Sequence, residues 1–305
     1  MSDRKSAVPG YSPDYSALVA RVEGLISRLE TILPKPPADP DWNASIAFRW
    51  RKRQGRGALE PVAHVHLIAF DDLQGIDRQK GLVDDNTRQF LDGRPANNVL
   101  LTGARGSGKS SIVKACLQKY SRRGLRVIEV DKQDLVDLAD IVDLVAGRRE
   151  RFIVFCDDLS FEASEPGYKA LKVVLDGSIA ATSENVLVYA TSNRRHLMPE
   201  TMQENLEFKH VDDELHPGET SEEKISLSER FGLWVSFYPF DQDEYLEIVR
   251  HWLQHFGLSE RDAGAARTEA LQWALGRGSR SGRVAWHFAR DYAGRRAGAA
   301  KRASR

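Results

Sequence analysis

The sequence predicts an α/β protein of three layers, with a five-stranded parallel sheet between helices, followed by a small helical domain. Three observations carry that expectation. From Val99 onward, short apolar runs of strand length alternate with helical patterns, the signature of right-handed β-α-β crossovers and a parallel sheet. A glycine-rich turn, Gly103 to Ser110, joins the first of those runs to the next helix and fits Gly-x-x-x-x-Gly-Lys-Ser. From Asp241 the spacing becomes helical throughout.

The elements follow in order. Tyr15, Leu18, Val22, Leu25, Leu29 and Ile32 alternate steps of three and four, so residues 14–33 read as an amphipathic helix. It spans fewer than three heptads, which favours packing on the chain's own body over a partner-binding or coiled-coil role. Pro34 to Pro40 is a stiff linker that ends it. Trp42 to Gly57 mixes Trp42, Phe48 and Trp50 with Arg49, Arg51, Lys52, Arg53 and Arg56. Such interleaving can stack and neutralise single-stranded nucleic acid. A helix docking its apolar side with its basic side in water is the favoured reading. Residues 61–70 alternate as a strand, and a helical run through Val83, Phe90 and Leu91 precedes the first core strand, Val99 to Leu101. Further strands are expected at 126–130, 152–156, 186–190 and 233–237, with helices at 112–120 and 134–145. Phe152 to Cys156 is apolar throughout, as a strand covered on both faces should be. The carboxylate-rich stretch from Glu200 to Glu229 reads as a solvated loop. After Tyr292 the chain is Ala, Gly, Arg and Lys, and reads as disordered.

Composition narrows the function classes. The 305 residues carry 44 basic and 44 acidic side chains, so a global polyanion-binding surface is not indicated. No apolar run approaches the roughly 18 to 20 residues of a membrane span. No apolar signal core follows Met1, and the cytoplasm is the expected location. Cys116 and Cys156 read as small buried residues, and the histidines lack metal-ligand spacing.

The chemistry concentrates around the glycine-rich turn. In a loop of Gly103, Ala104, Arg105, Gly106, Ser107 and Gly108, backbone N–H groups turn inward, and the following helix adds positive partial charge. Lys109 is expected to neutralise β- and γ-phosphates, Ser110 to put its hydroxyl on Mg²⁺, and Ser111 beside them to belong to the same nucleotide-binding set. Asp157, at the end of the apolar strand and about 50 residues downstream, is the expected second Mg²⁺ contact. An acidic helix cap is the plainer reading of Asp157-Asp158 alone.

Asn98–Ser110, Phe155–Glu162, Tyr189–Leu197 and Glu229–Trp234 together carry a resemblance. From about Leu73 to Tyr292 the chain resembles the AAA+ ATPases, and among them the bacterial group catalogued as domain-of-unknown-function 815. The resemblance implies ATP with Mg²⁺. It implies that Asn193 orients the attacking water, that Arg230 is an arginine finger reaching a neighbouring subunit, and that Arg283 touches the γ-phosphate from the lid. Gln74, Gly75 and Ile76 would lie against adenine. A surface salt bridge is the plain alternative for each arginine, with Arg280, Arg194 and Arg195 as rivals. The implied division is an N-terminal helical extension and linker over 1–60, a nucleotide-binding domain over 61–240, a helical lid over 241–292 and the tail over 293–305.

One departure bears on activity. The resembled proteins carry Glu after the metal-holding Asp, whereas here the residue is Asp158. Its carboxylate falls about 1.5 Å short, judged from one carbon–carbon bond. Glu162 is the other candidate base. Two functions therefore stand: an assembling ATPase acting on a macromolecular partner, and a slow nucleotide-dependent switch. The helical lid argues against a small-molecule kinase, and no Asn-Lys-x-Asp guanine reader is present.

Overall fold

Alternation along each strand decides which face of the sheet a residue serves. Val99 and Leu101 enter one apolar core and Leu100 the other. Ile153 and Phe155 join the first, and Phe152, Val154 and Cys156 the second. Both faces are therefore covered, as a parallel sheet requires.

The computed structural model describes residues 15–32, 40–53, 55–161, 165–176, 183–193, 209–211, 214–216 and 227–303. The chain divides into two units, Met1–Asp39 and Pro40–Arg305. The first contains α1 (Ser16–Ile32). The second begins with β1 (Ala47–Arg53) and β2 (Arg56–Pro61), then α2 (Asp77–Leu91), β3 (Val99–Gly103), α3 (Lys109–Tyr120), β4 (Leu125–Glu129) and α4 (Leu138–Val145). It continues with β5 (Arg151–Cys156), α5 (Pro166–Asp176), β6 (Val186–Ser192), β7 (Lys209–Val211), β8 (Glu214–His216) and β9 (Leu233–Phe237). The helices α6 (Gln242–His255), α7 (Glu260–Ala265), α8 (Arg267–Arg277) and α9 (Gly282–Ala303) complete it. Among the described residues, no helix is long and apolar enough to cross a membrane.

The five expected strands form one parallel block, in the order β4-β5-β6-β3-β9. The sheet is larger than expected, because β1 and β2 bring it to seven strands. β1 runs parallel to β4 and antiparallel to β2. The helix expected at Trp42–Gly57 is therefore a hairpin. Its pattern has period 2: Phe48 and Trp50 enter the second core, while Arg49, Arg51 and Arg53 point to the other side. The strand expected at 61–70 does not form. β2 ends at Pro61, which lacks the N–H a ladder needs, and Val62, Val65 and Ile68 pack partly buried on the first core as irregular chain.

Helices α2 and α3 supply the first core with Val83, Phe90, Ile112, Val113, Cys116, Leu117 and Tyr120. Helices α4 and α5 supply the second with Leu138, Ile141, Val145, Tyr168 and Leu171. The lid is continuous with the first core through Tyr245, Ile248, Val249, Leu253, Phe288 and Tyr292. An Asp241 capping box starts α6, with the Glu244 N–H on the Asp241 carboxylate at 2.8 Å and the reciprocal bond at 2.9 Å. Two further expectations are corrected. The short β7–β8 ladder interrupts the acidic stretch read as a loop, and α9 continues to Ala303 where a disordered tail was expected from 293.

Candidate functional site

Strand order brings the site residues together. Next to β3, which feeds the glycine-rich loop, lies β6, and next to β6 lies β5. The register pairs Cys156 with Ala190 and Thr102 with Ser192. Asp157 and Asp158, Thr191 and Asn193, and the loop thus emerge side by side at the carboxyl ends of three adjacent strands. Clefts at such ends are where open parallel sheets take their ligands.

Two glycines show why the loop needs its composition. Gly103 has φ 124°, and a Cβ there would stand 1.9 Å from the Phe237 carbonyl oxygen. Gly106 has φ 73°, and a Cβ there would stand 2.8 Å from Ser281 Oγ and 3.3 Å from Arg283 Cβ. The lid accordingly sits directly on the loop. The Gly282 N–H donates to the Gly106 carbonyl at 2.9 Å. Within the loop, Ser107 Oγ donates to the Ala104 carbonyl at 2.8 Å. Arg105 is exposed at the tip, and Ser111 is half-buried in the first turn of α3.

Lys109 opens α3 with a buried side chain. Its ammonium donates to the carbonyls of Gly103 and Ala104, both at 2.7 Å, and to Asn193 Oδ1 at 3.0 Å. Burial holds its proton affinity below that of an ordinary lysine; the charges of Asp157 and Asp158 oppose that shift, and those of Arg105 and Arg283 add to it. Arg283 therefore lies within electrostatic reach of the loop. Arg280, its rival, is exposed just before α9.

Ser110 Oγ donates to Asp157 Oδ1 at 2.7 Å. The Thr191 hydroxyl donates to the same oxygen at 2.6 Å and accepts the Asp158 N–H at 2.9 Å. Asn193 Nδ2 donates to the Asp158 carboxylate. Since Lys109 and Ser110 are neighbours in the chain, these bonds close a circuit: Ser110, Asp157, Thr191, Asp158, Asn193, Lys109. Asp158 has φ 54°, left-handed, which among non-glycine residues Asp and Asn tolerate best. Thr191, which sequence reasoning passed over, is the hub of this arrangement. The signal was present in Ala-Thr-Ser-Asn, a hydroxyl two residues before the amide at a strand end.

Other expected residues fall in different surroundings. Gly75 and Ile76 lie between the loop and the lid. Ile76 is buried, and its Cδ1 would be 3.0 Å from a Cβ on Gly108. A Cβ on Gly75 would be 3.1 Å from Phe240 Cε1. Phe240 also comes within 3.9 Å of a Cβ placed on Gly282, so this aromatic, also passed over, spans both. Gln74 Nε2 donates to the Asp71 carbonyl at 2.6 Å. Arg230 pairs with Asp176 at the end of α5, within the same chain. Glu162, Arg194 and Arg195 lie outside the described residues.

Among its described residues, the aromatic–basic segment offers no stacking platform. Trp42, Phe48 and Trp50 are buried, and Arg49, Arg51, Lys52 and Arg53 pair with Glu129, Asp131, Asp137 and Glu60. Among the described residues, no three His, Cys, Asp or Glu side chains gather as a metal cluster.

The chain matches one family model and resembles several solved structures. No curated protein matches the chain. Solved structures that resemble it include a point mutant of Thermotoga maritima RuvB, at 17% identity over 73% of this chain and 63% of that one, with a TM-score of 0.46. The T. maritima RuvB Holliday junction branch migration motor is similar at 16% identity over 73% and 70%, with a TM-score of 0.37. The E. coli MS115-1 HORMA:CdnC:Trip13 complex is similar at 11% identity over 72% and 89%, with a TM-score of 0.43. The chain spans 63% of the first RuvB chains it resembles. A family model described as protein of unknown function (DUF815) matches residues 43–296. The chain belongs to that family.

Proposed function

We propose that this protein binds ATP with Mg²⁺ at the Gly103–Ser110 loop, hydrolyses it, and couples nucleotide state to action on a macromolecular partner in the cytoplasm. The observation that carries this reading is the closed hydrogen-bond circuit from Ser110 through Asp157, Thr191, Asp158 and Asn193 to Lys109. It gathers a cation, an amide and two carboxylates beside a helix N-terminus, the parts that phosphoryl transfer uses.

The donor set fits Mg²⁺. Ser110 Oγ and Asp157 Oδ1 are hard oxygens 2.7 Å apart, and Mg²⁺ takes one or two protein oxygens, retaining water and phosphate as its other ligands. When bound, the ion neutralises charge on the phosphate oxygens. Lys109 exchanges two neutral carbonyl acceptors for phosphate oxygens, a stronger pairing because both partners are charged. Asp158 accepts a proton from the attacking water, which Asn193 orients. Arg283 and Arg105 add positive charge at the phosphate end, and Gly75 and Ile76 meet the base. Arg230 leaves Asp176 to act as a finger in a neighbouring copy, which makes the protein a homo-oligomer when active.

A second reading, the slow switch, is favoured by Asp158 itself. Its side chain is one methylene shorter than Glu, and its carboxylate is already held by Asn193. A misplacement of about 1 Å can cost about 100-fold in rate. ATP titration by calorimetry tests the site common to both readings. Lys109→Ala abolishes binding; unchanged affinity would contradict the assignment.

A further inference from the structure

We propose that α1 is a self-association helix that pairs in parallel with α1 of a second copy of this chain. Its apolar residues keep one heptad register without a break. Tyr15, just before the helix, with Val22 and Leu29, takes position a, and Leu18, Leu25 and Ile32 take position d. Val19 and Ile26 widen the stripe at position e. Among the described residues of its own unit nothing covers this face: exposure runs from 47% at Val22 to 62% at Tyr15 among Tyr15, Leu18, Val19, Val22, Leu25 and Ile26. Single exposed apolar residues need no explanation, but a continuous stripe of them marks an interaction surface.

The flanks identify the occupant. Around the helix the positions run g, d, a, e, b, so the stripe is edged by Arg21 and Arg28 on one side and by positions 23 and 30, both Glu, on the other. Two copies side by side in parallel bring the arginine edge of one against the glutamate edge of the next. An antiparallel pair sets arginine against arginine and glutamate against glutamate, which is repulsive. An anionic membrane surface is the poorer match, because interfacial helices carry an excess of Lys and Arg on the polar face and this one is balanced.

A helix of 17 residues is marginal alone, so the pairing gains from any second contact that raises the local concentration of copies. The charge pairing of α1 is independent of Arg230.

Disulfide trapping on the full chain, without nucleotide, tests the proposal. The native thiols do not interfere, since Cys116 and Cys156 are buried and both are pushed up to about 12 by that burial. Val22→Cys, at position a, is expected to give a disulfide-linked dimer on mild oxidation, whereas Ala20→Cys, on the opposite face, is not. Adding Leu18→Glu and Leu25→Glu should eliminate the Val22→Cys dimer while ATP affinity stays unchanged and circular dichroism loses no more than the signal of one short helix. Equal trapping at both positions would mean random collision, and no trapping at either would mean that the face is covered by its own chain or by another partner. Either result overturns the proposal and leaves the ATPase reading untouched, because no step requires turnover.

Discussion

Thr191 is the residue on which the site turns. Its hydroxyl donates to the Asp157 carboxylate and accepts from the Asp158 backbone N–H, so one side chain ties both acidic residues. Thr191→Val keeps the shape and removes both bonds, leaving the Asp158 N–H without its acceptor. Groups that orient a metal ligand typically cost about 10- to 100-fold in metal affinity or activity when lost. The expected result is a fall of that order in Mg²⁺-dependent turnover with ATP affinity little changed, read by paired kinetic and calorimetric titrations. Equal losses in both would make Thr191 a folding residue only. The glycine-rich turn between β3 and α3 was legible in the sequence because its demands are local: glycines that curl, then a helix. Thr191 was not, since its partners lie 34 and 33 positions away and meet it only through the β5–β6 register.

At the scale of elements, the hairpin of β1 and β2 is the part that sequence reasoning misjudged. The cations in 49–53 suit a solvated helix face as well as a strand, whereas the period-2 spacing of Phe48 and Trp50 suits only a strand. That alternation decides the structure, because it delivers two aromatics to one face of β1 and lets each cation find a carboxylate on the other elements. Trp50 is buried, and its indole N–H donates to Asp137 Oδ2 at 2.9 Å. Trp50→Ala is expected to destabilise the fold by about 3–5 kcal/mol, the usual cost of emptying an aromatic core site. Urea unfolding measures it, and a loss under about 1 kcal/mol would show that the hairpin is not integral to the core. The five central strands were legible because each is an apolar run bounded by helical pattern. The extent of α9 was not, because Ala-, Arg- and Lys-rich chain is compatible with both solvated coil and exposed helix.

At the scale of the whole molecule, the question is whether copies cooperate. Arg230 pairs with Asp176 in its own chain, with side-chain exposures of 21% and 42%. A partly exposed pair of this kind contributes about 1 kcal/mol or less, so both Arg230→Ala and Asp176→Ala should fold normally. As a finger, Arg230 is worth far more to turnover, about 10³-fold or above in phosphoryl transfer. Arg230→Ala is therefore expected to abolish assembly-dependent turnover while leaving ATP binding intact. Asp176→Ala should retain turnover, since it removes only the residue that holds the arginine in its own chain. Equal effects from the two substitutions, measured by phosphate release at matched concentration, would reduce Arg230 to a surface ion pair.

The central claim, an ATPase completed by a neighbouring copy, is tested most directly by phosphate release from ATP as a function of protein concentration, with Asp158→Ala and Glu162→Ala beside the parent chain. Specific activity is expected to climb with concentration and to collapse in Asp158→Ala, with Glu162→Ala close to the parent. A flat, near-zero rate at every concentration, alongside tight ATP binding, would contradict hydrolysis and leave the nucleotide-dependent switch in its place.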